Sequence, residues 1–444
     1  MNRKIIALTI AIISACCSGQ VSIAKSKAPK VPSLDEMVIY EVGPRLFAKE
    51  NTLDAVRKQL DKIKGLGCNV IWLMPIYDDS PLRYGSPYSI RDMYIIGEEH
   101  GGIDALQRLV NAAHKKGICV ILDLVTWGTG PDCQWVLDHP SWYREAYPRN
   151  YKKGAYFNWE NPELREVFLN LMRFWIDNTD VDGFRCDTAS PIFEKGVKTD
   201  DWKWILSNLR ASYPSRPLIL LAEAAPPRLL AAGFDLNYAW HYCDAMEKLF
   251  KKPEVSTKIL FDTNTEEMEG AAAAGPDKAR MRYSTNHDKC AAGSPAEKYG
   301  TQRGAMVATA LAYTMGGVPL VYSSQEIGYP DHLSFYKGKP PVLDWNTGKD
   351  TREEITKLIA ITLRHSMRKG NLTALHADKS TIAYLRADDN EQVLVLANVR
   401  GEAADVPLAD EYLNASYTDL MTNLPFKFKT NRLEAYQYLI LLKK

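Results

Sequence analysis

The sequence predicts an α/β fold, a closed (β/α)8 TIM barrel with a short inserted subdomain after strand 3 and a C-terminal antiparallel β-sandwich. Three observations predict it. Eight short apolar runs alternate with amphipathic stretches of helical length, the pattern of repeated βα units on a parallel sheet. One connection, Thr126 to Trp159, is too long and too rich in Gly, Pro, Trp and Asp for a routine strand-to-helix loop. Beyond residue 368 the alternation gives way to short β segments separated by turn residues.

Residues 1–24 read as an export segment: Arg3 and Lys4, the apolar run Ile5 to Ile13, then small residues, too short to span a bilayer. Ile13-Ser14-Ala15-Cys16 resembles a bacterial lipobox, which predicts membrane attachment through a lipidated Cys16. Cleavage after Ser22-Ile23-Ala24 and simple secretion is the competing reading. Either way the expected location is outside the cytoplasm, as a periplasmic or cell-surface lipoprotein or as a secreted protein.

The barrel is expected over residues 33–368. Its strands are predicted at Met37–Val42, Val70–Pro75, Cys119–Val125, Gly183–Asp187, Leu218–Glu223, Gly233–Leu236, Met281–Ser284 and Pro319–Tyr322. Between them, Leu53–Lys64 and Ile103–Lys116 read as helices with glycine stops, and Pro162 as a first-turn proline for Glu163–Asp177. Residues 126–159 form the inserted subdomain. A closing helix over Thr351–Arg368 leads into a C-terminal module at residues 369–444, with strands at Thr381–Arg386, Gln392–Asn398 and Leu433–Leu442.

Bulk composition narrows the function classes. With 55 basic and 54 acidic residues, the net charge of +1 gives no electrostatic case for nucleic acid, and a neutral ligand fits better. The 23 Tyr and 10 Trp suit flat, hydroxyl-rich ligands, although aromatics also fill cores. Apart from Cys16 and Cys17, six cysteines are scattered without CxxC spacing, which favours buried thiols over a disulfide framework.

Chemistry concentrates at strand ends. In Asp182-Gly183-Phe184-Arg185-Cys186-Asp187, the arginine and the carboxylate two residues later point to one face of a strand. The guanidinium is expected to hold Asp187 ionised and lowered in pKa, as a carboxylate nucleophile requires. Glu223 follows the apolar run Leu218 to Ala222, whose low dielectric raises a carboxyl toward acid duty. Asp123 and Asp288 end two further runs. In a parallel barrel all four would share one rim, and two carboxyls about 5–5.5 Å apart suffice for retaining glycoside hydrolysis.

These residues resemble the motifs of glycoside hydrolase family 13, the α-amylase family, over nearly everything from Met37 onward. The segment ending at Asp187 is similar to its nucleophile motif, Ala222-Glu223 to its acid/base segment and Asn286-His287-Asp288 to its third acidic motif. Ile39-Tyr40-Glu41-Val42, Ile71 to Ile76 and Pro319 to Glu326 match its first two strands and its last. The resemblance implies Asp187 as nucleophile, Glu223 as proton donor and Asp288 as transition-state stabiliser. Arg185 and His287 would hold the nucleophile and sugar hydroxyls, and Tyr88 would stack under the sugar being cleaved. Asp123 is open between substrate contact and a structural role orienting Arg185.

One departure stands out. The family's segment after the third strand usually ends in Asn-His, where this chain has Trp127-Gly128. The family's asparagine is commonly a calcium ligand and its histidine commonly bonds the sugar's primary hydroxyl, so no metal ligand is assigned and calcium is in question. The expected activity is hydrolysis of α-glucosidic bonds, α-1,4 by default, in starch-type polysaccharide or maltooligosaccharides. Transglycosylation through the same covalent intermediate is the nearest alternative, and a non-catalytic glycan-binding protein the more distant one.

Overall fold

The computed structural model describes residues 28–83, 86–144, 154–190, 196–335 and 340–444. The export segment with Cys16 lies outside the described residues. No helix among the described residues is long and apolar enough to cross a membrane.

Eight strands close into a barrel: β1 (Ile39–Val42), β2 (Val70–Leu73), β3 (Cys119–Val125), β4 (Gly183–Asp187), β5 (Ile219–Ala222), β6 (Leu236–Tyr238), β7 (Ala279–Arg282) and β8 (Val318–Tyr322). Each pairs in parallel with its sequence neighbours, and β8 returns to β1. The third and fourth strands keep the bounds their apolar runs predict. The sixth does not: expected over Gly233–Leu236, it starts only at Leu236. Gly233 (φ +121) turns the chain in a conformation that suits glycine, just after the helix Pro227–Ala231. Phe234 then packs its ring edge-on against Trp202.

Strand alternation sorts the side chains. Ile39, Trp72, Cys119, Ile121, Ile219, Leu221, Leu236, Tyr238, Met281 and Leu320 fill the barrel interior as one cluster. The same parity along β3, β4 and β5 carries Asp123, Arg185, Asp187 and Glu223 inward at the C-terminal mouth. The alternate residues, such as Val120, Leu122, Phe184 and Leu220, belong to the larger cluster between barrel and helices.

Helix boundaries show smaller departures. The stretch expected as Leu53–Lys64 is two short helices, Thr52–Arg57 and Leu60–Gly65, separated by a turn. Pro162 occupies the N-cap of Glu163–Thr179 rather than its first turn. The closing helix is Lys349–Thr362 followed by a single turn, His365–Arg368. In the inserted segment, Gly128–Thr129 pairs with Ala155–Tyr156. Trp142 and Trp159 are buried there, with Trp135 packed edge-on against Trp142.

The C-terminal module is a six-stranded antiparallel sheet built from β9 (Asn371–Ala377), β10 (Thr381–Ala387), β11 (Gln392–Asn398), β12 (Tyr417–Asp419), β13 (Leu424–Phe426) and β14 (Tyr438–Lys443). One face, with Ile382, Tyr384, Val393 and Val395, joins the barrel's outer core. The other, with Ala383, Leu394, Leu396 and Leu441, is covered by Val406 and Leu433. The second layer of the expected sandwich is thus only a two-stranded ribbon, Ala404–Asp405 with Arg432–Leu433. The stretch expected as one strand from Leu433 to Leu442 is divided between that ribbon and β14, with Tyr436 turning at φ +51. All six cysteines among the described residues are free and buried.

Candidate active site

Arg185 is the hub of the mouth. Fully buried on β4, its Nη1 donates to Asp123 Oδ1 at 2.8 Å and to Asp187 Oδ1 at 2.9 Å, and its Nε donates to the Tyr238 hydroxyl at 3.1 Å. Register makes the first contact inevitable, since Asp123 lies directly beside Arg185 on the neighbouring strand. Nη2 lies 3.0 Å from Glu223 Oε1 without an N–H aimed at it. The guanidinium rests over the Trp72 ring at 4.8 Å, so one cation is enclosed by three carboxyls and an aromatic floor.

Asp123 lies beneath the surface, accepting from Arg185 on one oxygen and from Trp72 Nε1 (3.0 Å) and the Tyr88 hydroxyl (3.1 Å) on the other. Of the two readings of Asp123, this arrangement is the one that orients Arg185 and Tyr88. Tyr88 comes from the loop of a hairpin, Tyr77–Asp79 with Ile90–Ile96, that follows β2. Its hydroxyl also meets His287 Nε2 at 2.8 Å, with the two rings nearly parallel.

His287 and Asp288 stand in the first turn of the short helix His287–Ala292 after β7. The cap is Asn286, whose side chain accepts from Lys289 N. His287 Nδ1 is hydrogen-bonded to Glu41 on β1, and its Nε2 lies 3.5 Å from Asp288 Oδ2. Burial disfavours its charge, but Asp288 and Glu41 outweigh burial and hold its pKa at about 9. A charged imidazole donates from both nitrogens, giving a consistent line: His287 to Glu41, His287 to Tyr88, and Tyr88 to Asp123.

The carboxyls are not alike. Burial pushes Glu223 up to about 8; Arg185 opposes it, while Asp187 and Asp288 add to it. Burial also raises Asp187, against Arg185. This corrects the expectation of a lowered nucleophile: the guanidinium is shared with Asp123 and Glu223 and does not cancel the desolvation of Asp187. Asp123 is raised by burial to about 6. Glu223, raised to about 8, keeps its proton at neutral pH, as a proton donor requires. Asp288 is the most open of the group, its side chain 37% exposed.

All seven residues predicted from sequence meet here. Sequence reasoning assigned no role to Glu41, Trp72, Tyr238, Thr126 and Thr188, which complete the site. Parity was the available signal for the first three, because each ends an inward-facing row. Nothing in the chain announces Thr126 or Thr188.

Trp127 and Gly128 have a structural cause. A Cβ at residue 128 would lie 2.1 Å from the Ala155 carbonyl oxygen, so no histidine fits there while the Gly128–Thr129 bridge exists. Trp127 packs its ring against Tyr156 at 5.0 Å. Its indole supplies no oxygen donor where the resemblance places a calcium ligand, and no group of three His, Cys, Asp or Glu side chains able to hold a metal occurs among the described residues. The residues present do not fit calcium at that position.

Comparison with known proteins agrees with this geometry. The model of the alpha amylase catalytic domain matches residues 41–153 and 141–208, and that of the maltogenic amylase C-terminal domain matches residues 372–440. Alpha-amylase MalA of Haloarcula japonica is 27% identical over 414 residues, covering 84% of this chain and 57% of that protein. Trehalose synthase/amylase TreS of Mycolicibacterium smegmatis is 28% identical over 264 residues, covering 46% of this chain and 44% of that protein. The chain thus spans about half the length of these two relatives. A maltogenic alpha-amylase from Thermotoga neapolitana superposes with a TM-score of 0.75 at 26% identity, over 93% of this chain and 99% of its own. Barrel, C-terminal sheet and mouth residues lead to one assignment: the chain belongs to glycoside hydrolase family 13, the α-amylase family.

Proposed function

We propose that the protein is a retaining α-glucan hydrolase that cleaves α-glucosidic bonds, α-1,4 by default, in starch-type polysaccharide or maltooligosaccharides. The observation that carries this reading is the sharing of one buried guanidinium by Asp187 and Glu223, two carboxyls that meet at the same mouth. Asp187 attacks the anomeric carbon as the bond to the leaving oxygen breaks, and Glu223 gives that oxygen its proton. Asp288, open to the mouth, supports the positive charge developing on the sugar ring. Water, deprotonated by Glu223, then releases the sugar from Asp187. Tyr88 and His287 line the same mouth as sugar contacts, and Arg185 keeps the carboxyls together.

Incubation with soluble starch, pullulan and a maltooligosaccharide series, followed by product chromatography, is expected to show new reducing ends and shorter α-glucans. Binding of these glycans without any release would overturn the reading in favour of a non-catalytic glycan-binding protein. Transglycosylation is the second reading, favoured by the words trehalose synthase in the name of one relative. Longer or isomerised products at high maltooligosaccharide concentration would identify it.

We also propose export with lipidation at Cys16, supported by the basic, apolar and small-residue order of the leader. Labelled palmitate is expected to be incorporated by the wild-type chain and not by Cys16→Ala; equal labelling of both would exclude this site.

A further inference from the structure

Thr188, the residue directly after Asp187, has φ +51, a left-handed conformation unusual for a β-branched side chain. Such a conformation persists where the surroundings impose it. Here they do so from three directions. The Thr188 amide donates to Glu223 Oε2 at 2.6 Å, its hydroxyl donates to Asp187 Oδ2 at 3.2 Å, and Thr126 Oγ1 donates to the backbone carbonyl of Asp187. Glycine would meet the backbone requirement without steric cost. What threonine adds is the hydroxyl, and it lies on the carboxyl oxygen that Arg185 leaves uncovered.

We infer that Thr188 is a positioning residue that ties the carboxylate of Asp187 to the carboxyl of Glu223, fixing both relative to one sugar ring. The inference rests on the reading of those two residues as nucleophile and acid. With Oδ1 held by Arg185 and Oδ2 by Thr188, the Asp187 carboxylate cannot rotate about its terminal bond without losing a donor. The amide holds Glu223 Oε2, while Oε1 lies 3.0 Å from Arg185 Nη2, so both oxygens of the acid have fixed neighbours. One residue thereby sets the plane of the nucleophile and holds one oxygen of the acid.

The test is Thr188→Val, which removes the hydroxyl while keeping the β-branch and the amide. Its kcat on a maltooligosaccharide is expected to fall by about ten-fold, since a hydrogen bond to a charged group is lost, with KM and melting temperature nearly unchanged. The groups facing Asp187 are Arg185, Asp123 and Glu223. With these unaltered and the anion short of one donor, the acidic limb of the pH profile should move to higher pH, because turnover needs Asp187 ionised. The basic limb, set by Glu223, should stay, and Thr188→Ser should restore the wild-type profile. Wild-type kcat with an unmoved acidic limb in Thr188→Val would overturn the inference; if that variant unfolds, Thr188→Ala carries the same readout. A wild-type chain that turns over no glycan overturns the parent reading and this one with it.

Discussion

Asp187→Ala and Glu223→Gln are each expected to cut glycan turnover on the order of 10⁴-fold or more, because each removes one step of a double displacement that has no second route. Asp187→Ala abolishes the covalent intermediate, whereas Glu223→Gln keeps shape and neutrality but has no proton to give. Near-neutral Tm and unchanged circular dichroism should accompany the second change, since an amide replaces a carboxyl that is already protonated at neutral pH. The pH dependence follows from the same assignment. Wild-type turnover needs Glu223 protonated, so it should decline as pH rises through about 8. On the acidic side it should decline as Asp187 takes up a proton. Wild-type turnover in either variant would reject the roles given to these residues.

Arg185→Met is expected to have the second largest effect, and on stability as well as activity. Removing the cation leaves Asp123, Asp187 and Glu223 in a buried mouth with no direct counter-charge on β4. Breaking a buried charge cluster by deleting one partner typically costs about 3–5 kcal/mol. The loss should depend on pH with a definite sign. All three carboxyls already sit above their unfolded values in the wild type, and without Arg185 they would rise further. A raised carboxyl contributes no penalty below its unfolded pKa, and its destabilisation grows as pH climbs through the folded value. The variant's deficit should therefore be small near pH 4 and large near pH 9 in chemical-denaturation curves. A pH-independent deficit would mean that packing over Trp72, rather than charge, is what Arg185 provides.

Much of the fold was legible because barrels repeat a simple rule. Runs such as Cys119–Val125 and Gly183–Asp187 are buried on both faces, as strands covered by helices outside and by one another inside must be, with polar residues only toward the mouth. Their bounds needed no tertiary information. The sixth strand starts later than its apolar pattern predicts because Phe234 reads as strand by composition, while its ring packs against Trp202 outside the barrel strands. The C-terminal run from Leu433 to Leu442 reads as one strand in the sequence because a single tyrosine in the left-handed region leaves no mark in the hydrophobic pattern.

The sequence by itself determined which side chains could do chemistry: two-residue spacing puts Arg185 and Asp187 on one face, and strand-end acids on a parallel barrel share one mouth. Spacing is local, and so is legible. Only the tertiary structure decided how those groups share charge, because the field at each carboxyl comes from neighbours far apart in the chain. Thus Asp187 is raised rather than lowered, Glu223 is raised to about 8, His287 stays charged between Glu41 and Asp288, and a carbonyl at Ala155 dictates that residue 128 be glycine. Desolvation and close approach are properties of the assembled mouth, and no one-dimensional pattern encodes them.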